Sequence, residues 1–261
     1  MDKTWRKGYG LEIPAQAPTL VMSSKFYRNQ SRENWHAHEA AQLLFCTRGV
    51  VRVLTPQSSW TLGPLRAIWL PSDCPHELHA LGDIQVLNLY MDRHSGDAFW
   101  PECHSLHVSP LMNELLQNLL LAQTATSANP SRAALIVPLL FDELKNTPDS
   151  PVCKLPLPTD RRLLSICELM LATPDNNATL DFWGNKVGAS SRTLTRLFRE
   201  QTGMTFARWR QQLRLSEAIA QLAQGDTVMS VANKLGYHSP SAFISMFKKS
   251  LGETPQRYLR T

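Results

Sequence analysis

Asn185-Lys186-Val187-Gly188, followed by Leu194, Phe198 and Gly203, is answered by Asn233-Lys234-Leu235-Gly236, followed by Phe243, Phe247 and Gly252. The two stretches share one design. The part that ends at the first glycine repeats with an offset of 48, and the apolar part with an offset of 49, so the second turn holds one extra residue. A repeat of this period signals two related supersecondary units. A short helix, a glycine turn and a second helix with an apolar face make a helix-turn-helix unit, whose second helix enters the DNA major groove. Sequence-specific binding to double-stranded DNA is therefore the leading expectation.

Around this repeat the chain reads as helices with Ser or Thr before them and Gly after them. Thr159 opens a helix through Leu163, Ile166 and Leu171; Thr179 opens one ending before Gly188; Ser190 or Ser191 opens the next, ending near Gly203. A long helix runs from Phe206 to about Gln224. Thr227 opens another short one, and Ser239 with Pro240 in the first helical position opens the last major helix. In the first reader helix Leu194, Leu197 and Phe198 form the buried face, which leaves Ser191, Arg192, Thr195, Arg196 and Arg199 as candidate DNA contacts. Arg pairs with guanine O6 and N7, and Thr reaches polar edges or a thymine methyl. In the second, Ala242, Phe243, Met246 and Phe247 are the expected buried face, with Ser239, Ser241, Ile244, Ser245, Lys248 and Lys249 as candidate contacts. Its lysines suit phosphates, so the first unit is expected to supply more of the base discrimination.

Charge agrees. Residues 154–261 hold 15 Lys and Arg against 8 Asp and Glu, a balance of +7; residues 1–153 hold 12 against 14, a balance of −2. A basic half suits a polyanionic partner, although a solvated basic surface would look the same. No run of about 18 apolar residues suggests a membrane span, and Met1 to Gly10 lack the apolar core of a signal peptide. Five scattered cysteines, Cys46, Cys74, Cys103, Cys153 and Cys167, contain no CxxC and suggest a reduced, cytoplasmic compartment with mostly buried thiols. Cys74, close to His76, is a candidate redox or metal group, with a buried inert thiol as the simpler reading.

Gly236-Tyr237-His238-Ser239-Pro240-Ser241-Ala242-Phe243, continuing through Phe247-Lys248 to Gly252-Glu253-Thr254-Pro255, resembles the signature of the AraC/XylS family of bacterial transcription regulators, over about Leu163 to Leu259. The resemblance implies two helix-turn-helix units joined by one long helix, reading adjacent major-groove segments roughly 34 Å apart. Two departures stand out. Gly184 occupies a position where Ala is usual, and Pro240 one that often carries a polar reader.

The N-terminal part reads differently. Thr19 to Met22, Gln42 to Cys46, Val50 to Leu54 and Ile84 to Tyr90 are strand-like runs between Gly and Pro turns, as in a sandwich or small barrel. Two helices follow. Pro110 to Gln123 sets Leu111, Leu115, Leu116, Leu119 and Leu120 on one face, to cover the barrel or to form a dimer; Ser131 to Lys145 contains Pro138 as an expected kink. Trp35, Trp60, Trp69 and Trp100 are either ligand-pocket residues or core. His36-Ala37-His38, Gln42 and the later Pro71-Ser72-Asp73-Cys74-Pro75-His76 resemble the two cupin motifs, with Gln42 in place of the usual Glu and Asp73 in place of a usual Gly. In a strand, residues i and i+2 share a face. The resemblance implies that His36, His38, Gln42 and His76 hold a divalent metal or line an effector pocket.

The expected fold class is α+β multidomain. Residues 1–146 form a cupin-like β-barrel with a helical hairpin, for effector binding and dimerisation; 147–159 are a Pro-rich linker; 160–261 form an all-α domain with two helix-turn-helix units. The expected function is a non-enzymatic DNA-binding transcription regulator controlled by a small-molecule effector, acting with RNA polymerase, as a homodimer, with no membrane partner, on a neighbouring transporter or enzyme gene. Two rivals remain open. One is a metal-dependent cupin enzyme with an appended DNA-binding domain, and the other is an architectural DNA binder without an effector.

Overall fold

In the computed structural model the described residues are 6–7, 20–124, 130–147 and 153–259. The strands in chain order are β1 (Arg6–Lys7), β2 (Val21–Tyr27), β3 (Arg32–Ala37), β4 (Ala41–Arg48), β5 (Val51–Thr55), β6 (Ser58–Leu62), β7 (Arg66–Leu70), β8 (His76–Ala80), β9 (Ile84–Met91), β10 (His104–His107) and β11 (Cys153–Pro156). The helices are α1 (Arg93–Asp97), α2 (Pro110–Thr124), α3 (Pro130–Asn146), α4 (Arg161–Ala172), α5 (Leu180–Val187), α6 (Ser191–Thr202), α7 (Phe206–Ala223), α8 (Val228–Lys234), α9 (Pro240–Leu251) and α10 (Pro255–Tyr258). They fall into two compact units: the first lies within 1–51 and 62–152, and the second joins Arg52–Thr61 to Cys153–Tyr258.

The first unit is built on an antiparallel five-stranded sheet in the order β10-β7-β4-β9-β2. Alternation sorts its two faces. Ala41, Leu43 and Phe45 of β4, with Ala67, Trp69, Leu87 and Leu89, enter a core shared with the helices. Met112, Leu115, Leu116 and Leu119 of α2 fill it at helical spacing, as do Ile136, Leu140 and Leu144 of α3. The expected leucine face of α2 therefore covers the sheet; Leu111 lies off it, 52% exposed. The alternate residues of β4, Gln42 and Leu44, point to the opposite face. There β3 pairs with β8, antiparallel, with His36 opposite His76 across a bulge. Trp69 is buried in this core, and Trp60, which belongs to the second unit, is buried as well. Thr19 and the linker residues Pro148 and Pro151 lie outside the described residues.

In the second unit the expected linker gives way to structure. Cys153–Pro156 is strand β11, antiparallel to β6, because Cys153 and Leu155 alternate inward and are buried. Trp209 of α7 anchors it, its Nε1 donating to the Pro156 carbonyl at 2.7 Å. Leu155 joins Leu163, Ile166, Met170, Trp183, Leu194, Phe198 and Trp209 in one core. Four helix starts are capped by the expected short polar side chains, Thr179, Ser190, Thr227 and Ser239, which accept backbone N–H groups, and Thr205 does the same for α7. At α4 the cap is Asp160 rather than Thr159. Its carboxylate reaches the backbone N–H of both Arg162 and Leu163, which one hydroxyl cannot do as well.

Candidate nucleic-acid interface and histidine cluster

The helix pairs α5–α6 and α8–α9 are matched down to single hydrogen bonds. Ala189 N–H donates to the Gly184 carbonyl at 3.0 Å, and Tyr237 N–H, 48 positions on, donates to the Ala232 carbonyl at 2.9 Å. The turns open on Gly188 (φ +68°) and Gly236 (φ +77°), in left-handed backbone that disfavours side chains. At Gly184 a Cβ would stand 2.4 Å from the Ala189 carbonyl oxygen, so the tighter first turn demands glycine. The extra residue of the second turn accompanies an alanine there.

Helix α6 buries Leu194, Leu197, Phe198 and Thr202 and exposes Arg192, Thr195, Arg196 and Arg199. These four, with Thr193 and Glu200, line a shallow groove on its outer face. Arg196 Nη1 contacts both Glu200 carboxylate oxygens, at 2.8 and 2.6 Å. That pair is solvent-exposed and weak, so it orients the guanidinium without sequestering it. Thr195 Oγ1 donates to the Ser191 carbonyl at 2.8 Å, which leaves its methyl and one oxygen lone pair outward. Ser191 is half-buried.

Helix α9 buries Phe243, Phe247 and Leu251, with Phe243 and Phe247 in an aromatic row between Tyr237 and Tyr258. The expected buried face is too broad: Ala242 is exposed and Met246 half-buried, since a straight helix shows the core only the 243–247–251 stripe. Ser241, Ser245, Lys248 and Lys249 are exposed and Ile244 is half-buried. Ser239 differs from its neighbours. Its Oγ accepts the Ala242 N–H at 3.2 Å, so the hydroxyl is engaged in the helix cap.

In the first unit, the bulge of β3 and the pairing with β8 gather His36, His38 and His76, whose candidate ligand atoms all lie within 4.8 Å of one another. Ring centroids are 4.2 Å apart for His36–His76 and 5.3 Å for His38–His76. Each Nδ1 meets a backbone carbonyl: His36 that of Asn34 at 2.8 Å, His38 that of Ala40 at 2.7 Å and His76 that of Cys74 at 2.9 Å. Carbonyls accept only, so Nδ1 carries the proton and each Nε2 keeps a lone pair. His76 is 1% exposed, and burial, helped by the neighbouring His36, pushes its pKa down to about 3, so it is neutral around pH 7. His38 Nε2 lies 3.0 Å from Gln42 Oε1. Gln42 is held in turn, its Nε2 donating to Asn88 Oδ1 at 2.9 Å. His38 thus faces acceptors on both nitrogens. A cation between Nε2 and Oε1 would satisfy both lone pairs. Asn88, behind Gln42, carries no motif of its own; only its polar character inside the apolar β9 run marks it in the sequence.

Comparison with known proteins gives two domain matches. Residues 18–144 match the family described as AraC-like ligand binding domain, and residues 183–261 match one described as helix-turn-helix domain. The HTH-type transcriptional regulator NimR of Escherichia coli (strain K12) is 35% identical over 86% of this chain and 81% of its own. The HTH-type transcriptional regulator RipA of Corynebacterium glutamicum (strain ATCC 13032) is 26% identical over 84% of this chain and 62% of its own. Among solved structures, the unsaturated fatty acid bound ToxT of Vibrio cholerae strain SCE256 aligns over 94% of this chain and 96% of its own, at 13% identity and a TM-score of 0.38.

Proposed function

The chain belongs to the AraC-type transcriptional regulators, an AraC-like ligand-binding domain joined to a helix-turn-helix domain, and from that premise we propose how its own residues divide the work. It is a DNA-binding regulator under the control of a small molecule. The outer faces of α6 and α9 are the reading surfaces. Arg192, Thr195, Arg196 and Arg199 discriminate bases, and Ser241, Ser245, Lys248 and Lys249 mainly engage phosphates. The observation that carries this is the sorting of each helix: one stripe is wholly buried while the opposite stripe is cationic or hydroxylic. Selection of oligonucleotides from a random pool by the full chain tests it. One enriched motif with two contacted segments about one helical turn apart is the expected outcome, and no enrichment would refute it.

For the effector we assign the cluster of His36, His38, His76 and Gln42. Three imidazole nitrogens and an amide oxygen, with every Nδ1 fixed by a carbonyl, fit a divalent first-row ion such as zinc, iron, nickel or manganese. A bound ion would supply a positive centre for an anionic or carbonyl-bearing effector. Metal analysis of protein purified without chelators checks this; well under a tenth of an equivalent per chain would count against it. Effector control then requires unequal affinity for two arrangements of the protein.

Residues 1–146 we take as the effector and dimerisation part, and 160–261 as the DNA-binding part. A homodimer is supported by apolar side chains left exposed on the helical hairpin, Leu121 at 63% and Leu135 at 73%. It would present a second pair of reader helices to a second half-site. The relatives are regulators, and we assign no catalytic role. RNA polymerase is the proposed protein partner, the cytoplasm the proposed location and a neighbouring transporter or enzyme gene the proposed target. No helix among the described residues is long and apolar enough to cross a membrane.

A further inference from the structure

Cys74 and Cys103 lie 29 positions apart, yet their sulfurs are 3.4 Å apart. The contact is built by the sheet. Cys103 immediately precedes β10, which pairs with β7 in the register His104↔Trp69, while Cys74 sits in the turn that leaves β7 for β8. Both residues are half-buried, whereas Cys46, Cys153 and Cys167 are buried. The turn around Cys74 is firmly held. Asp73 has left-handed backbone (φ +57°), donates its N–H to the His38 carbonyl at 2.9 Å and pairs with Arg93, and Cys74 N–H donates to the Pro71 carbonyl at 3.1 Å. On the other side, Trp100 stacks on His104 with ring centroids 4.8 Å apart.

From this geometry we propose that Cys74 and Cys103 are a redox-responsive dithiol, which peroxide closes to a disulfide within one chain. The chemistry balances with hydrogen peroxide as the oxidant. One sulfur, as its thiolate, attacks a peroxide oxygen; an S–O bond forms, the O–O bond breaks, and the departing hydroxide takes up the proton as water. The second sulfur attacks the sulfenic acid, the S–S bond forms, the S–O bond breaks, and a second water leaves. The sulfurs must approach by about 1.4 Å to reach the bonded separation. Partial exposure admits a small uncharged oxidant, and the same exposure admits a cellular thiol to reverse the step. The pair sits next to the histidine cluster, because the Cys74 carbonyl is the acceptor for His76 Nδ1. The proposal does not depend on that cluster holding a metal.

The experiment uses the full chain. Reduced protein is exposed to a small excess of hydrogen peroxide, alkylated, and digested without reductant. The expected result is one cross-linked pair of peptides, one containing Cys74 and the other Cys103. The denatured chain loses two of its five titratable thiols and regains both with dithiothreitol. Cys74→Ser and Cys103→Ser each abolish the cross-link, and the wild-type result stands even if a variant folds poorly. Sulfinic acid on either cysteine without a cross-link, or five unchanged thiols at peroxide levels that oxidise free cysteine, would overturn the proposal.

Discussion

Arg196 projects from the middle of α6 with its guanidinium gripped by Glu200, and 61% of its side chain faces water. Bidentate contact with guanine would exchange that weak pair for a specific one. Arg196→Ala should therefore relax base preference at one position, with a cost of about 1–3 kcal/mol. Binding isotherms for the selected site and its single-base variants check this; equal loss on every variant would make Arg196 a phosphate contact. Lys248→Ala belongs to the other class. It should weaken binding evenly and lower the salt slope by about one. Asp160 acts on stability instead. The adjacent Arg162 guanidinium and two backbone N–H groups hold its carboxyl down at about 2. A depressed carboxyl contributes stability above its unfolded value of about 3.9 and loses it as pH falls towards 2. Asp160→Ala should then cost roughly 1 kcal/mol at pH 7 and nearly nothing at pH 2, read by denaturant unfolding. Exposed residues of the reader helices were legible from spacing alone, since burial on a helix follows its period. Ser239 was not. Whether a serine caps a helix or reads a base depends on its backbone angles, not on its place in a motif.

At the scale of elements, the contrast between Gly184 and Ala232 traces to turn length. In the three-residue turn after α5, the Ala189 carbonyl turns back over α5 and occupies the space of a side chain. Gly184→Ala should lower stability by about 1–3 kcal/mol through overpacking, visible as a fall in Tm, while Ala232→Gly should show only the smaller helix-propensity loss of about 1 kcal/mol. The repeat offsets of 48 and 49 already held this difference in turn length. Strand β11 was hidden because its prolines argue for a linker, and its partner β6 lies about 95 positions earlier. Nothing local predicts such pairing. The same association puts Thr61 Oγ1 2.6 Å from Ser216 Oγ and Arg52 Nη2 3.2 Å from it, with Ser216 buried on α7. Ser216→Ala strands the buried Thr61 hydroxyl and should cost about 1–3 kcal/mol. Adding Thr61→Val should recover part of that loss in a double-mutant cycle, and strict additivity would show that the hydroxyls do not interact.

At the scale of the whole molecule, a near-neutral sheet unit and a basic helical unit are written into one chain, and their charge balances of −2 and +7 are read directly from the composition. The helical unit was legible nearly element by element, because repeats, caps and glycine stops are local signals. The sheet unit was legible as a class and as four candidate ligands. Its long-range contacts, Asn88 behind Gln42 and Cys74 against Cys103, depend on strand register, which a single sequence does not encode locally. The account stands on both reader helices touching one duplex. Its most direct test is hydroxyl-radical footprinting of the full chain on its selected DNA site, with Arg196→Ala and Lys248→Ala beside the wild type. Two protected segments about one helical turn apart on one face are predicted, each weakened by one of the substitutions. A single protected segment, or two that respond to neither substitution, would contradict it.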